Sequence, residues 1–271
     1  MKIDLHTHSS CSDGTFTPKE LVEYAKEKGV SILSLTDHDS IEGVSQAKLE
    51  GEKLGIKVLN GVEISSYSST EIHILGYNFD ENNSVFLSHL HQFALQRKER
   101  ADNILDKLER FNIYLDRTQL QNIPSVGRMH IAKMLVAKGH CQNIPEAFDK
   151  YLGANGVAYF PSKRISPSRA VEIIRDAGGI AVIAHPLRLL QQDKLEDLIV
   201  GLLPIGLGGL EVYYPTHDQT QSEKLLEIAK KYRLIATGGT DFHGANKNVE
   251  LGSLDYYMEK FTRKKLGLLR R

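Results

Sequence analysis

The residues best equipped for chemistry are histidines and carboxylates that recur in short clusters: His6 and His8; Asp37, His38 and Asp39; Glu63 and His73; His185; Asp241 and His243. His6 and His8 are two residues apart. In extended backbone such a pair points to one side, with roughly 6.5 to 7 Å between the residues along the chain, close enough to grip one ion. A single His-x-His is weak evidence, because two exposed or hydrogen-bonded histidines look the same, but five clusters of the same ligand types favour a shared site. Imidazole nitrogen and carboxylate oxygen without paired cysteines suit Zn, Mn or Fe. The expected chemistry is hydrolysis by metal-activated water.

Elements of defined spacing must bring these clusters together. Lys2 to His6 reads as a strand. Thr17 to Lys28 reads as a helix with a capping hydroxyl at Thr17, Pro18 at its first position, Glu20 three residues after the cap and Gly29 as its stop. Val30 to Leu35 follows as a strand, Ser40 to Leu54 as a helix ended by Gly55, Ile56 to Leu59 as a strand continued by Gly61 to Ser65, and Ile72 to Tyr77 as a strand. After residue 165 the alternation resumes: Ser166 to Ala177 helix, Gly179 to Ala184 strand, Lys194 to Leu203 helix, Gly209 to Tyr213 strand, Gln219 to Tyr232 helix and Leu234 to Thr237 strand. Strands joined by helices of this length predict a parallel sheet. The C-terminal ends of parallel strands share one face, and the clusters fall at or just beyond strand ends.

The middle of the chain breaks this rhythm. Val85 to Phe111 reads as one long amphipathic helix, with further helices at Arg128 to Lys138 and near Ile144 to Tyr151. We therefore expect residues 1–84 and 166–271 to form the unit carrying the metal site, and residues 85–165 a mostly helical insertion. Between Arg97 and Arg175 stand 14 Lys or Arg against 8 Asp or Glu, although the whole chain of 271 residues is neutral. Overall charge therefore gives no argument for a polyanionic partner; the local surplus, like the five basic groups of the last eleven residues, is ordinarily a solvated face. Cys11 and Cys141 form neither a disulfide framework nor a CxxC knuckle. No apolar leader opens the sequence, and stretches such as Gly201 to Leu210 are too interrupted to span a bilayer; the expectation is a cytoplasmic chain with no membrane contact and no obligate protein partner.

The segments Asp4-Leu5-His6-Thr7-His8-Ser9, Ser12-Asp13-Gly14, Thr36-Asp37-His38-Asp39, Gly61-Val62-Glu63, His73-Ile74-Leu75-Gly76, Ala184-His185-Pro186 and Gly239-Thr240-Asp241-Phe242-His243 together resemble the polymerase and histidinol phosphatase (PHP) superfamily over residues 4–243. The resemblance implies a distorted (β/α)7 barrel in place of an open doubly wound sheet. It implies two or three divalent ions, Mn for activity with Fe or Zn as alternatives: His6, His8 and Asp241 on one, His73 and His185 on a second, Glu63 bridging them, and Asp13, His38 and His243 on a third. Water activated by metal would be held by His6, His8, Glu63 and Asp241. Asp37 and Asp39 would orient ligand imidazoles, or Asp39 would cap the following helix.

Within the superfamily the chain resembles stand-alone phosphoesterases acting on nucleoside 3',5'-bisphosphates or trimming short single-stranded RNA from its 5' end. Ser125-Val126-Gly127-Arg128-Met129-His130 resembles their Gly-Arg-Pro-His segment, with Met129 in place of Pro. Arg128 would give two parallel hydrogen bonds to a substrate phosphate and His130 one more; the bland alternative is a helix-surface arginine. Two other functions fit the same motifs, a histidinol-phosphate-type phosphatase and a noncatalytic nucleic-acid-binding or regulatory module, though the complete ligand set argues against the latter. Glu211 and His217 are candidates for the pocket wall, Tyr213 and Tyr214 for packing, and none is placed in the catalytic set.

Overall fold

The computed structural model describes residues 2–188, 192–256 and 258–268; the last three residues of the basic tail, 269–271, lie outside it. In chain order the elements are β1 (Lys2–Thr7), α1 (Pro18–Glu27), β2 (Val30–Leu35), α2 (Val44–Leu54), β3 (Lys57–Tyr67), β4 (Glu71–Tyr77), α3 (Ser84–Glu109), α4 (Arg128–Ala137), α5 (Ile144–Ala147), α6 (Pro167–Asp176), β5 (Ile180–Ile183), α7 (Gln192–Leu202), β6 (Leu207–Tyr213), α8 (Gln219–Lys231), β7 (Ile235–Gly238) and α9 (Lys260–Lys265). The start of α1 shows how local sequence fixes an element: the Thr17 hydroxyl accepts from the Glu20 amide, and the Glu20 carboxylate accepts from the Thr17 amide, so two otherwise orphaned donors are satisfied.

The strands form one seven-stranded sheet in sequence order, curled into a distorted barrel. Its ends meet where Thr7 pairs with Phe242, the His8 amide donating to the Phe242 carbonyl at 2.8 Å. Leu5, Leu59, Leu75, Val182 and Ile235, each from a different strand, share one apolar cluster.

The sheet is not parallel throughout. β4 runs antiparallel to both β3 and β5. β3 continues unbroken to Tyr67 and meets β4 through a tight hairpin, in which the Ser68 amide donates to the Thr70 carbonyl; a turn that short cannot hold a crossover helix, so the chain must come straight back. The reversal matters for the site. His73 stands near the start of β4 and pairs with Ser65, which puts it beside Glu63 instead of at the opposite end. α2 also differs from expectation, starting at Val44 after Gly43, because Asp39 is used elsewhere.

α3, about 39 Å long at 1.5 Å per residue, serves two cores. Its Phe86, Leu90 and Phe93 pack with Ala170, Ile173 and Ile174 of α6 in the barrel's outer layer. Its Ala101, Ile104, Leu105 and Leu108 pack with Ile131, Ala132 and Leu135 of α4 in a second cluster. The chain returns to the barrel where Ile165 pairs with Ser66 beside the hairpin.

One buried carboxylate fastens the barrel seam. Asp4 accepts from the Thr240 amide at 2.9 Å, the Thr240 hydroxyl at 2.6 Å and the Gly252 amide at 2.9 Å. Asp4→Ala would leave these buried donors unpaired, and we expect it to destabilise the fold by about 3 kcal/mol or more. Urea unfolding checks this: an unchanged midpoint would mean that the seam does not depend on Asp4.

Candidate metal centre

The seam places two ligand pairs side by side. His6 and His8 flank Thr7 on β1, and its pairing with Phe242 sets Asp241 and His243 next to them. The approach is close enough to require glycine at Gly239, where a Cβ would fall 2.4 Å from both the His6 Cβ and its amide nitrogen. Asp241 and His185 adopt left-handed backbone, with φ of 52° and 27°. Side chains other than glycine rarely adopt it, and such conformations persist only where the surroundings enforce them.

Glu63 is fully buried and stands at the centre. Its Oε1 lies 2.7 Å from His73 Nδ1, 3.1 Å from His185 Nε2 and 3.4 Å from His6 Nε2; its Oε2 lies 2.9 Å from His38 Nδ1 and 3.3 Å from His8 Nε2. Asp241 Oδ1 is 3.2 Å from His8 Nε2 and 3.5 Å from His6 Nε2. Asp13 Oδ1 is 3.1 Å from His243 Nε2 and 3.8 Å from His38 Nε2. Three overlapping groups have their donor atoms within 4.8 Å of one another: His6, His8, Glu63 and Asp241; His8, Asp13, His38 and His243; and His38, Glu63 and His73. The third group includes His38 on Glu63 Oε2, while His185, which the resemblance pairs with His73, shares Glu63 Oε1 with it.

A divalent ion fits these residues. Five buried atoms here, His6 Nε2, His8 Nε2, Asp13 Oδ1, His38 Nδ1 and Glu63 Oε2, have no hydrogen-bond partner, an arrangement that is costly unless a cation satisfies it. Without one, protons hold the site together. Burial pushes Glu63, Asp13 and Asp241 up, but the surrounding imidazoles outweigh it and hold all three well below the usual carboxylate range. Burial lowers His73 and His243, but Glu63 beside the first and Asp13 beside the second raise each to about 9. His8, desolvated and facing His243, is lowered to about 3.

Several expected roles change. Asp37 touches no imidazole: it accepts from the Ser9 amide and the Ser9 and Ser12 hydroxyls and reaches His8 only through Ser12, whose Oγ is 3.5 Å from His8 Nδ1. Asp39 neither orients an imidazole nor caps a helix. It accepts from the Ser65 amide at 2.8 Å and from Arg97 Nε at 2.7 Å, joining α3 to the mouth of the barrel. His130 is already engaged, its Nδ1 accepting from the Gly127 amide at 3.0 Å and its Nε2 donating to the Ser12 carbonyl at 2.8 Å. It closes the first turn of α4 and pins the loop that carries Asp13, so no ring nitrogen is left for a phosphate.

Arg128 does face the site. It lines a cavity of about 350 Å³ shared with Glu63, His73 and Asp241, and a second of about 160 Å³ walled also by Arg97, Arg100 and Arg164. Arg97 pairs with Asp39 and Arg164 with Glu71. Arg100 and Arg128 have no carboxylate within 4 Å among the described residues; burial and the neighbouring guanidiniums lower Arg100 to about 10. Such mutual repulsion favours an anion in the cavity.

Three contributors, Glu211, Tyr214 and Lys247, lie outside the catalytic set that the sequence predicts. Glu211 accepts from His6 Nδ1 at 3.0 Å and from the His185 amide at 2.6 Å, so it fixes the tautomer that turns His6 Nε2 inward. Its signal was a carboxylate inside an apolar strand. Tyr214 and Lys247 both donate to Asp241 Oδ2, leaving Oδ1 free, and nothing in their spacing announced it. Tyr213 packs on Tyr256 at 4.7 Å as expected of a packing residue, and His217 donates to the Val212 carbonyl.

Comparison with known proteins gives a consistent picture. The PHP domain profile matches residues 4–158. The chain is 38% identical over 255 residues to a 5'-3' exoribonuclease of Haemophilus influenzae, covering 93% of each. It is 34% identical over 247 residues to a 3',5'-nucleoside bisphosphate phosphatase of Chromobacterium violaceum, covering 89% of this chain and 87% of the other. A solved structure from Bifidobacterium adolescentis, described provisionally as a metal-dependent phosphoesterase, superposes with a TM-score of 0.86 at 29% identity, covering 97% of this chain and 94% of the other.

The protonated imidazoles give the centre a pH signature. His73 and His243, raised to about 9, carry protons at neutral pH in the metal-free protein, and a cation needs their neutral nitrogens, so binding must release protons. We expect apparent Mn²⁺ affinity to rise with pH from neutrality through about 9. Calorimetry at neutral pH in buffers of different ionisation enthalpy should register net proton release; an affinity independent of pH over this range would count against these ligands.

Proposed function

The chain belongs to the PHP domain family, and from that membership and the geometry of the site we propose that it is a metal-dependent phosphoesterase hydrolysing nucleoside 3',5'-bisphosphates and short single-stranded RNA from the 5' end. One observation carries the reading: five unpartnered, buried donor atoms converge beside a cavity whose wall holds two arginines without a carboxylate. We assign two or three divalent ions to His6, His8, Asp13, His38, Glu63, His73, His185, Asp241 and His243, with Mn as the activating ion and Fe or Zn as cellular alternatives. When bound, such ions make water nucleophilic near neutral pH and neutralise charge on the reacting phosphate.

The chain's own residues supply the rest. Glu63 offers its two oxygens to different histidine groups and so holds them together. Tyr214 and Lys247 orient Asp241, and Glu211 orients His6. Arg128, with Arg100 behind it, binds the phosphate that is not hydrolysed, which selects substrates with two phosphates or an RNA 5' end. Residues 85–165 are, on this reading, a recognition subdomain on a barrel formed by 1–84 and 166–271. Among the described residues no helix is long and apolar enough to cross a membrane; we assign the reaction to the cytoplasm, where the free thiols Cys11 and Cys141 are stable.

Arg128→Ala tests the assignment. Losing a charged hydrogen-bonded contact costs about 1.5 to 3 kcal/mol, or roughly 10- to 150-fold in kcat/KM on a nucleoside 3',5'-bisphosphate. KM should rise, and kcat should fall if the remote contact also orients the reacting phosphorus. An aryl phosphate with no second phosphate should hardly respond. Equal losses on both substrates would mean that Arg128 supports the metal centre or the fold, and no loss on either would remove it from recognition. Metal analysis after Mn reconstitution should find at least two equivalents; one or none would end the multinuclear reading.

A further inference from the structure

Among the described residues, His73 is the ligand candidate with both ring nitrogens within 2.8 Å of a carboxylate oxygen. Nδ1 lies 2.7 Å from Glu63 Oε1, and Nε2 lies 2.8 Å from Glu71 Oε1. Glu71, two residues earlier on β4 and so on the same face of the strand, also receives Arg164 Nη1 at 2.7 Å. It lines both cavities, the one over the ligand cluster and the one walled by arginines, whereas Arg164 lines only the second. An unbroken polar path thus runs from the arginine cavity through Arg164, Glu71 and His73 to Glu63.

We infer that Glu71 is a positioning residue coupling the two cavities: it sets how strongly His73 holds a cation according to whether an anion occupies the arginine cavity. The inference rests on the proposed reading of the metal centre and of that cavity. By accepting from Nε2–H, Glu71 keeps the Nδ1 lone pair turned inward and makes the imidazole a stronger ligand. Arg164 competes for the same carboxylate. An anion beside Arg164 takes over part of its hydrogen bonding and leaves more of the Glu71 charge to His73, so the imidazole grips a cation more tightly. Linkage requires the converse to the same degree, and a bound cation must tighten the hold on the anion. A substrate with a second phosphate would thereby strengthen the centre that cleaves it.

The test is calorimetric titration of the metal-free full-length chain with Mn²⁺, with and without sulfate, a tetrahedral dianion that is not hydrolysed. In the unmodified protein sulfate should tighten Mn²⁺ binding about 5-fold or more. Glu71→Gln keeps an acceptor oxygen but removes the charge; it should weaken Mn²⁺ binding about 10-fold and abolish the response to sulfate. A merely structural role for Glu71 would not remove that response. Absence of a sulfate effect in the unmodified protein, or an intact effect in Glu71→Gln, would overturn the coupling, and so would unchanged Mn²⁺ affinity in Glu71→Gln. Failure of the unmodified protein to bind Mn²⁺ at all would overturn the metal-centre reading on which the inference rests.

Discussion

The mouth of the barrel answers to three carboxylates set among imidazoles, Glu63 and Asp241 buried and Asp13 half-buried. A charge taken out of water is expensive unless it is paired and hydrogen-bonded, and Glu63 is fully enclosed. Five histidines reach its two oxygens from four strands or their ends. Their number exceeds what one carboxylate can satisfy, and several nitrogens face each other across it. Only a positive charge in the middle reconciles these groups, whether protons on the histidines or divalent ions. The site is thus assembled in a state of mutual dependence, where no ligand is comfortable without the others.

The supporting polar groups keep that arrangement from relaxing. Glu211 holds His6 and the His185 backbone together; Asp37 ties down the loop from Ser9 to Ser12; Asp4 closes the seam through Thr240 and Gly252. Each is a buried carboxylate with several donors of its own, which is how such a group tolerates burial. The left-handed backbone at His185 and Asp241 lies where Glu211 and Asp4 act, on the His185 amide and on Thr240 beside Asp241, so local strain is borne by long-range hydrogen bonds. The same tension appears in the arginine cavity with the sign reversed, where clustered guanidiniums outnumber their carboxylates.

Much of this was legible in the sequence, and the gaps have physical causes. The clusters were readable because strand ends converge in an α/β barrel and because His6 and His8 share a side. The reversal of β4 was not, since periodicity reports a strand without its direction, and the tight Ser68–Thr70 turn was the only clue. The expected roles of Asp39 and His130 rest on residue type and on motif resemblance. Type cannot say which of several partners a side chain will meet, and both are spent on joining the barrel to the helical segment. Glu211 was noticed but left open, because an isolated carboxylate in an apolar strand has no partner until the neighbouring strands are in place. Glu71 owes its role to a neighbour far away in the chain, Arg164, and Lys247 to the loop that folds it back onto Asp241 six residues before it.

The reversed β4 also decides how the helical segment can behave. Because β4 runs back down the barrel, the chain leaves for α3 at the end remote from the ligands and rejoins the barrel at the mouth, where Ile165 pairs with Ser66. The two attachments are therefore at opposite ends, and α3 is built into both cores between them. A flap needs its two anchors close together so that it can swing about them. This segment instead resembles a beam fixed at both ends, which holds its arginines at the mouth. Substrate would meet a preformed slot, so turnover would not wait for a domain to open and close.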